Sequence, residues 1–240
     1  MNTNKSQTDL HAAVLFTHQF ATLINAGVSL VRTLLILEAE APSPYAEAMP
    51  TVRERIEADQ TLSQAISDLP ALFPPFYRCM IRAGEVGGVL DITLARTANL
   101  LQEELTLSQN GVTGSFLLAG GNEHTDWDLL SPSQRTLHLL LFCGAWGMML
   151  TSGVPILEAM EVAAESLPTR QRAEVLAAGE VIKVMKNSDP ADDFVPRMTF
   201  LPLSARTLIS VGAECGMLDT SLLKAAELYR HLLNYQRLAG

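Results

Sequence analysis

The residues with the greatest capacity for chemistry gather in one short stretch, Ile81-Arg82-Ala83-Gly84-Glu85-Val86-Gly87-Gly88-Val89-Leu90-Asp91. Its two carboxylates, Glu85 and Asp91, are oxygen donors of the kind a hard divalent cation takes. Calcium wants roughly six to eight such oxygens, more than the motif supplies. The competing reading is structural. Gly84 and Gly88 let the chain turn a sharp corner between two helices, and Glu85 and Asp91 complement the start of the second one. Elsewhere the chemistry is sparser. His11 and His18 share a helix face, which offers at most a two-ligand metal pair. Cys79, Cys143 and Cys215 each sit among apolar residues; Cys143 and Cys215, without the neighbouring histidine and positive charge that activate a thiol, are expected to be inert core residues. The chain has no P-loop, GxSxG, HExxH or dinucleotide-binding glycine pattern. No catalytic residue and no cofactor is expected, and a metal-dependent hydrolase is the least supported reading.

Composition narrows the classes further. Lys and Arg total 17 against 26 Asp and Glu, a formal charge of -9, so the chain repels rather than attracts a phosphate backbone. The densest basic run, Arg170-Gln171-Arg172, is too small for a nucleic-acid footprint. With 48% hydrophobic and 18% charged residues, the chain carries enough apolar surface to fold. Its apolar mass is aliphatic, which favours helix packing over sheet. An odd cysteine count without CxxC fits a reducing, cytoplasmic setting, and Met1–Asp9 lacks the pattern of a signal peptide.

The elements that hold these residues come in two copies. Phe16 aligns with Phe142, Phe20 with Trp146, and Gly27-Val28 with Gly153-Val154. After the offset grows by two, Pro74 aligns with Pro202, Gly84 with Gly212, Gly88 with Gly216, and Leu90-Asp91 with Leu218-Asp219. The spacing predicts six helices per copy, hence an all-α fold of two tandem six-helix bundles, at 10–107 and 133–237, joined by a linker at 108–132. In the first copy Leu10, Ala13, Phe16, Phe20 and Leu23 make one apolar stripe, closed by a left-handed cap at Gly27. A third helix is expected with Ser43 as N-cap and Pro44 at its first position. A short fourth opens on a Thr61/Gln64 capping box and ends at Leu69-Pro70. A fifth begins near Pro74 and ends by Gly84, and a sixth starts near Gly88. The second copy opens on Ser131-Pro132-Ser133-Gln134. Its last helix carries the seam Leu218, Leu222, Ala225, Tyr229 and Leu232. Charged runs at Arg53-Glu54-Arg55 with Glu57, and at Arg170, Arg172 and Glu174, read as solvated faces or equally as a docking face for a partner. Thr136–Leu157 holds no Asp, Glu, Lys or Arg, long enough for a membrane anchor, but Gly153-Val154-Pro155 interrupts it and favours a buried core helix.

Two motifs carry a family resemblance. Phe16-Thr17-His18-Gln19-Phe20-Ala21-Thr22-Leu23-Ile24-Asn25-Ala26-Gly27-Val28-Ser29-Leu30 resembles the opening of the F domain of type II secretion and type IV pilus inner-membrane platform proteins. Leu72-Phe73-Pro74-Pro75 followed by Ile81 to Asp91 is similar to the same family's second signature, and Thr61-Leu62-Ser63-Gln64-Ala65-Ile66 fits between them. The resemblance implies a six-helix bundle per repeat and a scaffold without chemistry. It further implies binding to the hexameric assembly ATPase and other machine components, and a divalent cation in some members. Association of the two copies, within the chain or between chains, is expected from the residues instead, because 18% charged residues are few to cover two bundles and Thr136–Leu150 is apolar nearly all round. Localisation follows as cytoplasmic, at the inner face of the inner membrane, with membrane association only through partners. Typical members also place two membrane helices between the repeats and a third after the second. The linker here is too short for them, so either a soluble relative or a chain from which the membrane parts have been lost is expected. The second copy departs most. Pro190 stands where Leu62 does, and Gly84-Glu85 becomes Gly212-Ala213.

Overall fold

The computed structural model describes residues 2–109, 126–184 and 194–239. The chain divides into two compact units, Met1–Gly120 and Gly121–Gly240. All regular structure among the described residues is helical.

The first unit contains α1 (Asn2–Asn25), α2 (Leu30–Glu40), α3 (Tyr45–Glu57), α4 (Leu62–Ala65), α5 (Pro75–Gly87) and α6 (Leu90–Gln109). The stripe on α1 faces inward, with Leu10, Ala13, Phe16 and Phe20 buried, and α1 packs along α6. Phe16 stacks on Tyr45 of α3 at 4.3 Å between ring centroids and meets Phe73 edge-on at 5.9 Å. Such pairs add directional attraction to the burial of area. The Tyr77 hydroxyl lies 3.2 Å from the Thr17 hydroxyl, and Thr17 also donates to the Ala13 carbonyl at 2.7 Å. These bonds satisfy the polar ends of a core that is otherwise apolar.

The second unit contains α7 (Pro132–Thr151), α8 (Ile156–Ala163), α9 (Thr169–Val184), α10 (Leu203–Glu214) and α11 (Leu218–Ala239), with short 3-10 turns at Trp127–Leu129, Ala164–Ser166 and Val195–Arg197. Helix α7 is enclosed on every side, with each residue from Leu139 to Met149 buried, because it is apolar around its whole circumference. It packs along α11. At Gly147 the approach is so close that a Cβ would stand 3.0 Å from Leu223 Cγ and 3.1 Å from the Asp219 carbonyl oxygen. Trp146, equivalent to Phe20, is fully buried between Phe142 and Phe194.

The duplication is written in the backbone. Gly27 and Gly153 have φ of +79° and +83°, and Gly88 and Gly216 have φ of +65° and +67°. At each the next residue's N–H reaches back five positions, as in Val28 to Leu23 and Val154 to Met149 at 3.1 and 3.0 Å, and in Val89 to Gly84 and Met217 to Gly212 at 2.9 and 2.7 Å. This is the Schellman closure, whose left-handed residue carries no steric penalty only as glycine.

Several expectations need correction. Helix α3 starts at Tyr45, with Pro44 at the N-cap position behind a cis Ser43–Pro44 bond. Ser43 instead donates its hydroxyl to Glu47 at 2.7 Å. Helix α4 is a single turn that stops well before Leu69. Helix α5 passes through Gly84 to Gly87, so the corner belongs to Gly88 alone. The seam on α11 ends on buried Leu233, with Leu232 exposed. The drift follows from 3.6 residues per turn, since a fixed stripe alternates steps of three and four. Cys79 and Cys143 are buried, but Cys215 is exposed, because it caps the solvent end of α10. The break expected at Gly153-Val154-Pro155 is present: α7 ends at Thr151 and α8 begins at Ile156. Among the described residues no helix is long and apolar enough to cross a membrane.

Candidate functional site

Glu85 is the centre of the best-defined polar constellation in the first unit. It stands on the last turns of α5, half-buried, and reaches the start of α4. Its Oε1 accepts from the Leu62 N–H and its Oε2 from the Ser63 N–H, the latter at 3.0 Å. The Thr61/Gln64 capping box supplies the rest. The Gln64 N–H donates to Thr61 Oγ1 at 3.3 Å, and the Thr61 N–H to Gln64 Oε1 at 3.0 Å. Every amide from 61 to 64 therefore has a side-chain acceptor. A helix of one turn needs this, because it is nearly all terminus and makes few bonds of its own. Glu85 thus caps α4, not α6 as its position in the sequence suggests. Asp91 occupies the first turn of α6, where a carboxylate offsets the free amides.

The opposite end of α4 is held by a cation. Arg55 donates through Nη1 to the Ala65 carbonyl at 2.7 Å, and its Nη2 pairs with Asp68 at 3.2 Å. Two further bonds fasten the chain that follows. Arg78 reaches the Ser67 carbonyl at 3.4 Å, and the Tyr45 hydroxyl donates to the Leu72 carbonyl at 3.2 Å. Beneath these bonds Leu62, Ala65, Ile66 and Phe73 are buried. The segment from Thr61 to Phe73 is consequently clamped by α3 and α5, with a carboxylate at one end of α4 and a guanidinium at the other. The solvated-face reading of Arg55 is corrected by this arrangement. Arg53, also half-buried, pairs with Glu57 at 3.1 Å and Glu38 at 3.6 Å.

Gly84 has a different task. A Cβ there would lie 2.2 Å from Thr93 Oγ1 and 2.9 Å from Leu90 Cα. At Gly212 a Cβ would lie 2.6 Å from both Ser221 Cβ and Oγ and 3.2 Å from Leu218 Cα. The same three positions meet in both copies. The glycine draws the last two helices of each bundle together, and that contact sets where Glu85 stands. Pro74 and Pro202 hold equivalent extended conformations immediately before α5 and α10, with φ of -63° and -60°.

The carboxylate clamp does not recur. Ala213 occupies the place of Glu85, and by register Pro190 takes the place of Leu62. Pro190 lies outside the described residues, but proline has no amide hydrogen to give, so acceptor and donor are both missing. Elsewhere in the second unit Glu174 accepts from the Thr199 N–H at 2.7 Å and from its hydroxyl at 2.9 Å, so Glu174 too is more than surface charge. Arg135 donates to the Trp127 and Asp128 carbonyls at 3.0 and 2.8 Å.

Other titratable groups are set by burial. The Cys143 thiol is pushed up to about 12 by desolvation, which leaves it protonated and unreactive. His138 is held below its ordinary range by burial, opposed in part by its bond to the Ser166 carbonyl. Because a carbonyl only accepts, that bond fixes the proton on Nδ1. Nε2 is buried without a partner. Among the described residues no three His, Cys, Asp or Glu side chains converge as metal ligands, and Glu85 directs both oxygens to amides. His11 is exposed and His18 half-buried on α1. Sequence reasoning did not find Arg55, Tyr45 or His138. The partner of Gly84 was within reach, since Thr93 and Ser221 are small hydroxyl residues at the same offset.

Comparison with known proteins gives a consistent answer. The family model described as "Type II secretion system (T2SS), protein F" matches residues 16–116 and 142–238, once in each unit. The chain is 24% identical to the type IV pilus assembly protein PilC of Myxococcus xanthus, covering 90% of this chain and 70% of that protein. It is 25% identical to PilC of Thermus thermophilus, over 90% of this chain and 71% of the relative. It is 26% identical to the type II secretion system protein F of Xanthomonas campestris, over 94% of this chain and 74% of the relative. These alignments run over 295, 293 and 302 residues against the 240 of this chain. Each relative therefore has residues within the matched span where this chain has none.

Proposed function

The chain belongs to the type II secretion system protein F family, and we propose that it serves a secretion or pilus assembly machine as a non-enzymatic scaffold. The observation that carries this reading is the fate of the signature residues. Glu85, one of the motif's two carboxylates, gives both oxygens to the backbone of α4. The glycines fix caps and a close helix contact. The motif makes a shape rather than a reaction, and a fixed shape is what a docking module offers to partners.

In this reading the repeats at 10–107 and 133–237 are the working modules. The partners are proteins of the machine, including its assembly ATPase, with self-association and without nucleic acid. The place of action is the cytoplasmic face of the inner membrane, reached through partners. The residues that the relatives carry inside the matched span fit the membrane helices that typical members place between the repeats. The test is co-purification of the tagged chain with the assembly ATPase from the same host, followed by light scattering of the eluted complex. A defined stoichiometric complex is expected. If the ATPase and the other machine proteins all elute separately from the chain, the scaffold reading is wrong.

A further inference from the structure

We draw no further inference here: the strongest candidate, the exposed apolar stripe of Leu228, Leu232 and Tyr235 along one face of α11, carries nothing because nothing in the structure shows what covers it.

Discussion

Replacing Glu85 with Ala tests the clamp most directly. The substitution removes two acceptors from the Leu62 and Ser63 amides and leaves the apolar contacts of α4 in place. Bonds to a charged acceptor contribute about 1.5–3 kcal/mol each when buried. These are only part-buried, so water recovers some of the loss, and about 1 kcal/mol per amide is the fitting figure, in line with the loss of a helix cap. The expected cost is about 2 kcal/mol. For a bundle of this size that lowers the melting temperature by roughly 10 °C. Two separate units make a single global transition a poor readout, so residue-resolved hydrogen exchange is the better assay. Exchange of the 62–65 amides should accelerate by about 30-fold, with α11 unchanged. Glu85→Gln keeps one acceptor and should fall between. Unchanged exchange at Leu62 and Ser63 in Glu85→Ala, with a melting shift under about 2 °C, would show that the carboxylate does not hold α4.

Gly84→Ala should destabilise the first unit by about 1–3 kcal/mol, since the new Cβ overlaps Thr93 Oγ1 and Leu90 Cα; denaturant titration followed by circular dichroism checks it, and a neutral outcome refutes the close contact. Trp146→Ala should cost about 3–5 kcal/mol through the cavity it opens, and a loss below about 1 kcal/mol would mean that the side chain is not enclosed. Because burial lowers the folded-state pKa of His138, the unfolded chain takes up this proton first. The second unit should lose stability as pH falls below about 6.5 and level off below the folded-state value, and His138→Gln should flatten that dependence in melting curves taken against pH. Of the three thiols, only Cys215 should react quickly with a disulfide reagent in the native protein, with Cys79 and Cys143 following on denaturation; fast labelling of Cys143 would contradict its burial.

The parts of this fold that were legible in sequence are those where backbone geometry dictates residue type. A left-handed cap demands glycine, so Gly27, Gly88, Gly153 and Gly216 announce four chain reversals and the repeat together. Capping boxes at Thr61/Gln64 and Ser131/Gln134 formed where the residue types place them. The clamp was not legible, because its donors and acceptors lie far apart in the chain. Glu85 is 22 residues from Ser63, and Arg55 is 10 from Ala65. Local rules assign a carboxylate to the nearest helix start, which is α6, whereas the close contact at Gly84 turns Glu85 toward α4. Cys215 was misjudged for a related reason. Its neighbours are apolar, but exposure depends on which end of α10 meets solvent, and periodicity does not report that.

The enclosure of α7 also has a consequence in time. Its principal neighbour, α11, begins roughly 70 residues after α7 ends. At a synthesis rate of about 5–20 residues per second, α7 leaves the ribosome several seconds before the surface that covers it exists. During that interval α8 can pack against α7, but the apolar face that α11 covers has no partner. Nascent second units are therefore the form of this protein most in need of a chaperone, and slowing translation between codons 152 and 217 should raise the aggregated fraction even though the finished sequence is unchanged.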